Sequence, residues 1–133
     1  MEPIQYLRDV RPGIAELSAL FQAAGLSRPV AEPERIARML ENASLIFTAR
    51  DGGRLAGIAR SMSDFAFCTY LSDLAVHPDY QHRGIGRELI RLTREAIGPE
   101  SMLLLLSVPD AMAYYPKAGF EPVQNGFIIK RVR

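Results

Sequence analysis

Cysteine is nearly absent from this sequence of 133 residues, and Cys68 alone can neither close an intramolecular disulfide nor build a cysteine-rich metal site. An excess of charge of one sign is lacking too. Sixteen basic residues stand against fifteen acidic ones, net +1, with no basic run, so there is no electrostatic footprint for nucleic acid or another polyanion. Long apolar stretches are missing: the longest, Met102 to Leu106, falls far short of the roughly 20 residues that cross a bilayer. Nothing at the N-terminus reads as a basic and then apolar signal segment. The expectation is a protein with no membrane and no metal, in a reducing, cytoplasmic setting. Repeats, linkers and low-complexity segments are also absent. What remains, 48% hydrophobic, fits one domain over residues 1–133, a size that buries roughly two-thirds of its unfolded surface.

Residues 4–10 mix apolar and polar side chains as an edge strand does. Pro12 then sits where helices begin, and Ile14, Leu17, Leu20 and Phe21 recur at helical spacing, predicting a helix over about 13–24 stopped by Gly25. Pro33-Glu34 opens a second helix with Ile36, Met39 and Leu40 on one face. Leu45–Phe47 and Leu55–Ala59, joined through Asp51-Gly52-Gly53, read as a hairpin. A third strand spans about 67–76 and ends at His77-Pro78, because proline withholds a donor and biases its predecessor away from helix. The stripe Ile85, Leu89, Ile90, Leu92 and Ile97 predicts a helix packed on a sheet. Residues 102–108 follow as a central strand, 110–118 as a short helix, and 120–123 with 127–130 as two strands turned by Asn125-Gly126. The predicted order is β-α-α-β-β-β-α-β-α-β-β, an α/β class with a mixed sheet.

The chemistry concentrates in Leu74 to Arg87. A strand ends, a loop carries Gly84 and Gly86 one residue apart, and an amphipathic helix starts at once. The free N–H groups of a helix's first turn carry the positive end of its dipole, and glycines admit phosphate oxygens to the backbone. A pyrophosphate suits such a cradle. The dinucleotide fingerprint fails because its third glycine position is Leu89, and no Gly-Lys-Ser or Gly-Lys-Thr follows for a nucleoside triphosphate loop.

Gln81-x-x-Gly84-x-Gly86 resembles the coenzyme motif of the GCN5-related N-acetyltransferase (GNAT) superfamily. A second family motif is matched by Tyr114-Tyr115-Pro116-Lys117-Ala118-Gly119-Phe120, one strand and one short helix later. The likeness covers about residues 44–131 and points to a small, bacterial-type, single-domain member. It implies the GNAT fold: a mostly antiparallel twisted sheet of six to seven strands, helices on both faces, and a splay at the coenzyme site. It implies acetyl-coenzyme A as co-substrate. The pantetheine arm would lie along Leu74, Ala75 and Val76, and the pyrophosphate on the loop amides of His82, Arg83, Gly84, Ile85, Gly86 and Arg87. Val108 stands where the family often has a pantetheine-contacting Asn, which implies an altered contact there; Ala111 matches.

Acetyl transfer to an amine requires a neutral amine, a stabilised oxyanion and a proton for the departing thiolate. By resemblance, the backbone N–H near Leu74 polarises the thioester carbonyl and Tyr115 is the general acid. Tyr115 also reads as a packing residue with its hydroxyl at the surface. For the base the sequence offers Asp73, with Ser72 and Tyr70 as relays through water. An acid inside an apolar strand is costly unless paired, so Asp73 equally reads as a structural acceptor. His77 and His82 read as loop residues rather than metal ligands. Arg83 and Arg87 read either as phosphate contacts or as solvated surface, and Cys68 as a buried small residue of the strand.

The expected reaction is direct transfer of acetyl to a primary amine, with a small molecule such as an arylalkylamine as the favoured partner. A protein or peptide amine, or a non-catalytic acyl-coenzyme A-binding regulator, are the alternatives. A nucleotide-binding module is a third class. Edge strands at 4–10 or 120–130 can pair across chains into a homodimer; the oligomeric state stays open at this level.

Overall fold

The computed structural model describes residues 3–133. Its sheet runs in the order β1-β2-β3-β4-β5, with β1 Gln5–Arg8, β2 Leu45–Asp51, β3 Arg54–Ser63, β4 Cys68–Val76 and β5 Met102–Leu104. The first four strands are antiparallel in sequence, and β4 pairs β5 in parallel. Helices α1 Ile14–Ala23, α2 Pro33–Glu41, α3 Ile85–Ile97 and α4 Tyr114–Lys117 complete the fold.

Strand alternation places one helical layer on each face. Ile46, Ile58 and Ala75 pack against Leu17, Leu20, Phe21, Ile36 and Leu40 of α1 and α2. Leu45, Phe47, Ala59 and Leu71 pack against Ile85, Leu89 and Ile97 of α3. The close approach of α3 depends on Gly57. A Cβ there would lie 3.1 Å from both the Ala75 carbonyl oxygen and Ile85 Cγ2, and 3.2 Å from Leu89 Cδ1.

Two register slips bend the sheet. Between Arg50 and Ala49 the partners on β3 skip Ala56, and between Arg60 and Ser61 the partners on β4 skip Ser72. Each leaves one residue bulged out of the ladder. The parallel pairing of β4 with β5 covers only Cys68 to Tyr70, so beyond the bulge the far edge of β4 has no strand beside it. The sheet parts there.

The C-terminal third differs from the sequence expectation. The 102–108 segment is a short edge strand, Met102–Leu104, instead of a long central one. The helix expected over 110–118 divides into a 3₁₀ turn at Pro109–Ala111 and α4. Residues 120–123 and 127–130 are not strands, so the described sheet has five strands where six to seven were expected. The reason is a missing partner: among the described residues no backbone hydrogen bond joins Glu121 to Arg133 to the rest of the main chain, and a hairpin signal alone cannot hold two strands in water. Among the described residues no helix is long and apolar enough to cross a membrane, and no group of three or more His, Cys, Asp and Glu is placed to hold a metal ion.

Candidate active site

The parting of β4 from β5 opens a cleft of about 540 Å³. One wall is Leu74 and Val76 of β4, the floor is Gly84 to Arg87 at the start of α3, and the far wall is Tyr114 and Tyr115 of α4. Alternation explains the first wall: Leu74 and Val76 are half-buried and face the cleft layer, while Ala75 points into the core under α1 and α2. Of the predicted coenzyme residues, the cleft therefore brings together Leu74, Val76, His82, Gly84, Ile85, Gly86 and Arg87; Ala75 turns its side chain away.

The floor is built from backbone. Gly84 caps α3 with φ 78°, a left-handed conformation cheap only for glycine, and no side chain caps the helix. The first helical bond runs from Glu88 N–H to the Gly84 carbonyl at 3.0 Å, so the N–H groups of Ile85, Gly86 and Arg87 lie ahead of the helical ladder. His82 also has a positive φ, 64°, which sharpens the turn into that floor. Gly86 faces Tyr114: a Cβ would stand 3.1 Å from the tyrosine hydroxyl. Glycine keeps that space open.

The loop is fastened by Tyr80, which sequence reasoning passed over. Its hydroxyl donates to Asp51 Oδ2 at 2.5 Å, and the guanidinium groups of Arg54 and Arg83 lie 5.3 and 5.2 Å from its ring centre. Arg83 is thus held over Tyr80 rather than in the cleft lining. Arg87 donates to the Lys117 carbonyl at 3.1 Å, tying α3 to α4. His77 accepts from the Asp79 N–H through Nδ1 at 3.1 Å and acts as a turn residue.

Tyr115 stands edge-on to both Tyr114 and Phe120, with ring centres 5.2 and 5.6 Å apart. Burial, with the neighbouring Tyr114, pushes its pKa above the ordinary tyrosine value. Burial also raises that of Tyr114, against the opposing effect of Arg87. Tyr114 is the second site residue missed in the sequence; only its place beside Tyr115 in the motif signalled it.

Asp73 lies on the other face of β4. It is fully buried, receives Arg28 Nε at 2.5 Å on Oδ1 and pairs with Arg60 Nε through Oδ2. Arg28 also donates to the Ser72 carbonyl at 2.9 Å, and Arg60 to Ser72 Oγ at 3.1 Å. This network ties the bulge to the loop between α1 and α2. Cys68 is exposed, contrary to expectation, because β4 starts at the tip of a turn. The charge of Asp64, with some desolvation, raises its thiol pKa.

The family model described as an acetyltransferase (GNAT) domain matches residues 42–122, more than half of the chain and both glycine and tyrosine motifs. The chain belongs to the GNAT family. Among relatives of this GNAT chain, the uncharacterized N-acetyltransferase ycf52 of Pyropia yezoensis is 32% identical over 114 residues, covering 79% of this chain and 63% of that protein. The chain thus spans about three-fifths of the length of such relatives. A structure from meticillin-resistant Staphylococcus aureus, a protein of unknown function described as a probable acetyltransferase, superposes with a TM-score of 0.84 at 26% identity, covering 97% of this chain and 100% of that one. AAC(6')-Iy, solved with the bisubstrate analogue CoA-S-monomethyl-acetylneamine, shares the fold at a TM-score of 0.72 and 14% identity over 98% and 99% of the chains. A GNAT coenzyme fits the residues present here: ladder-free amides on α3, an open β4 edge, and a floor that a Cβ at Gly86 would crowd.

Proposed function

We propose that this GNAT protein is an acetyl-coenzyme A-dependent N-acetyltransferase that moves the acetyl group directly to a primary amine of a small molecule, an arylalkylamine being the first candidate. The observation that carries the reading is that the open β4 edge, the start of α3 and Tyr115 share one cleft. When bound, the coenzyme supplies the activated thioester. The amides of Ile85 to Arg87 hold its pyrophosphate, favoured by the helix dipole, and the edge of β4 at Leu74 and Val76 that faces away from β3 receives its pantetheine arm. The Leu74 N–H, just past the Ser72 bulge, stabilises the developing oxyanion.

Tyr115 gives its proton to the leaving sulfur. Its raised pKa keeps the phenol protonated at neutral pH, as a donor must be. Of the two readings of Asp73, burial and two arginine partners support the structural one: it fixes the bulge and thereby the Leu74 amide. That leaves deprotonation of the amine to solvent reached past Tyr70 and Ser72. Balanced charge supports a small acceptor over a polycationic one.

Release of free thiol from acetyl-coenzyme A, followed across arylalkylamines, amino sugars, polyamines and a lysine peptide, tests the proposal. Turnover on at least one small amine, above the peptide, is expected. Tight coenzyme binding with no turnover on any acceptor overturns it.

A further inference from the structure

Arg28, in the loop between α1 and α2, has more hydrogen-bonding capacity than its partners use. A guanidinium carries five N–H donors. In Arg28, Nε donates to Asp73 Oδ1 at 2.5 Å, Nη1 to the Ser27 carbonyl at 2.9 Å and Nη2 to the Ser72 carbonyl at 2.9 Å. Among the described residues it makes no other side-chain bond, so one N–H on each terminal nitrogen is left over. Such a pair is the fork that a carboxylate bridges. The guanidinium lies 5.9 Å from the centre of the Phe21 ring, a cation–π contact that steadies it, and 24% of the side chain stays open to solvent.

The charge around it is unbalanced as well. Arg28 and Arg60 share the single carboxylate of Asp73, and among the described residues neither pairs with another acid. Arg60 is fully committed: Nε to Asp73, Nη1 to the Met39 carbonyl at 3.2 Å and Nη2 to Ser72 Oγ at 3.1 Å, with only 7% of its side chain exposed. The surplus positive charge therefore faces outward through Arg28. Fixing the bulge accounts for Nε and for one N–H of Nη2, and leaves the open end of the fork without a task. Its position supplies one. Ser72 is the bulged residue, and Leu74, whose N–H is the oxyanion donor in the proposed reaction, is two residues further along β4, no more than about 7 Å of chain. The edge of β4 is free here, because β5 reaches only as far as Tyr70. A molecule whose amine attacks at Leu74 while an anionic group rests on Arg28 must carry the two close together, as an amino acid does.

We propose that Arg28 is a specificity-determining residue that receives the carboxylate of the acceptor, so that the amine acetylated is that of an amino acid. The proposal rests on the acetyl-transfer reading and narrows its arylalkylamine to one that keeps its carboxylate. A decarboxylated amine, arriving as an ammonium, meets only the surplus positive charge. An amino acid brings the matching negative charge with it.

The test compares the common amino acids with the amines they give on decarboxylation, phenylalanine against phenethylamine and tyrosine against tyramine among them. Thiol release from acetyl-coenzyme A gives kcat/KM for each, and calorimetry gives the binding of each to the protein saturated with coenzyme A. For at least one pair the amino acid should be favoured by about tenfold or more, as a site built to hydrogen-bond a group rejects the analogue lacking it. Arg28→Gln should abolish that preference, and Arg28→Lys, which keeps the charge without the fork, should leave part of it. A purely structural Arg28 would lower both members of a pair alike and leave their ratio untouched. The proposal is overturned by that result, by preference for the decarboxylated amines, or by the failure of every amino acid to bind the coenzyme A complex. Turnover of amines without regard to the carboxylate removes this inference and leaves acetyl transfer standing; an amino acid that binds through Arg28 and is never turned over does the reverse.

Discussion

At the scale of single residues, Gly57 and Gly86 answer to different demands. At Gly57 the obstacle is backbone and core, so Gly57→Ala forces α3 off the sheet; a loss of about 1–3 kcal/mol in urea unfolding is expected from overpacking. At Gly86 the obstacle is the end of the Tyr114 side chain, and alanine favours a helix by about 1 kcal/mol. Gly86→Ala should therefore fold at least as stably as wild type, yet raise the coenzyme Kd by about tenfold, or roughly 1.4 kcal/mol, in calorimetric titration. Tyr115→Phe separates chemistry from binding: kcat should drop by about 10² or more with KM for acetyl-coenzyme A within about twofold, as for loss of an interaction made only in the transition state. Since the pKa of Tyr115 is raised, its donor form persists to higher pH than an ordinary tyrosine, and the alkaline limb of the wild-type profile should lie above pH 10. The motif residues were legible as spacing; Tyr114 was not, because a string of letters does not say which of two adjacent aromatics meets the helix.

Among the elements, β4 does most to shape the site, and its character is set by a bulge and a buried ion cluster. Alternation alone left open which face Asp73 takes; the slip at Ser72 decides the parity. Removing that carboxylate strands two guanidinium groups, so Asp73→Asn should cost about 3–5 kcal/mol of stability, while the pH profile of the remaining activity keeps its wild-type shape. Loss of the acidic limb instead would make Asp73 the base. The turn leading into β4 has its own pH signature. Asp64 accepts from the N–H groups of Ala66, Cys68 and Phe67, which lower its pKa from 3.8 to about 2. A depressed carboxylate contributes stability above its unfolded pKa and loses it as pH falls through the folded one. Amide exchange at residues 66–68 should thus stay slow at pH 4 and quicken as pH approaches 2, a change that Asp64→Asn abolishes. Elements up to α3 begin within a residue or two of their sequence positions because each contains its own periodic signal, although β2 and β3 each run four residues past the expected end. Residues 120–130 do not, since a strand is a relation between two segments and the second is not in this sheet.

For the whole molecule, the two-faced layering was implied by the family resemblance, and neighbouring apolar positions on β2 and β3 do serve both helical layers. The splay at the coenzyme site was implied by the same resemblance, but periodicity could not place the parting of β4 and β5, which depends on how few residues of the 102–108 run are paired. That parting leaves a gap between β4 and the edge strand β5, bordered by the start of α3 and by α4. Whatever lines up along β4 acts as a removable strand. On the proposed function, folding and coenzyme occupancy are coupled by mass action, and at a hundredfold excess over Kd the gain is about 2.7 kcal/mol. The melting temperature would then serve as a gauge of the acyl-coenzyme A concentration.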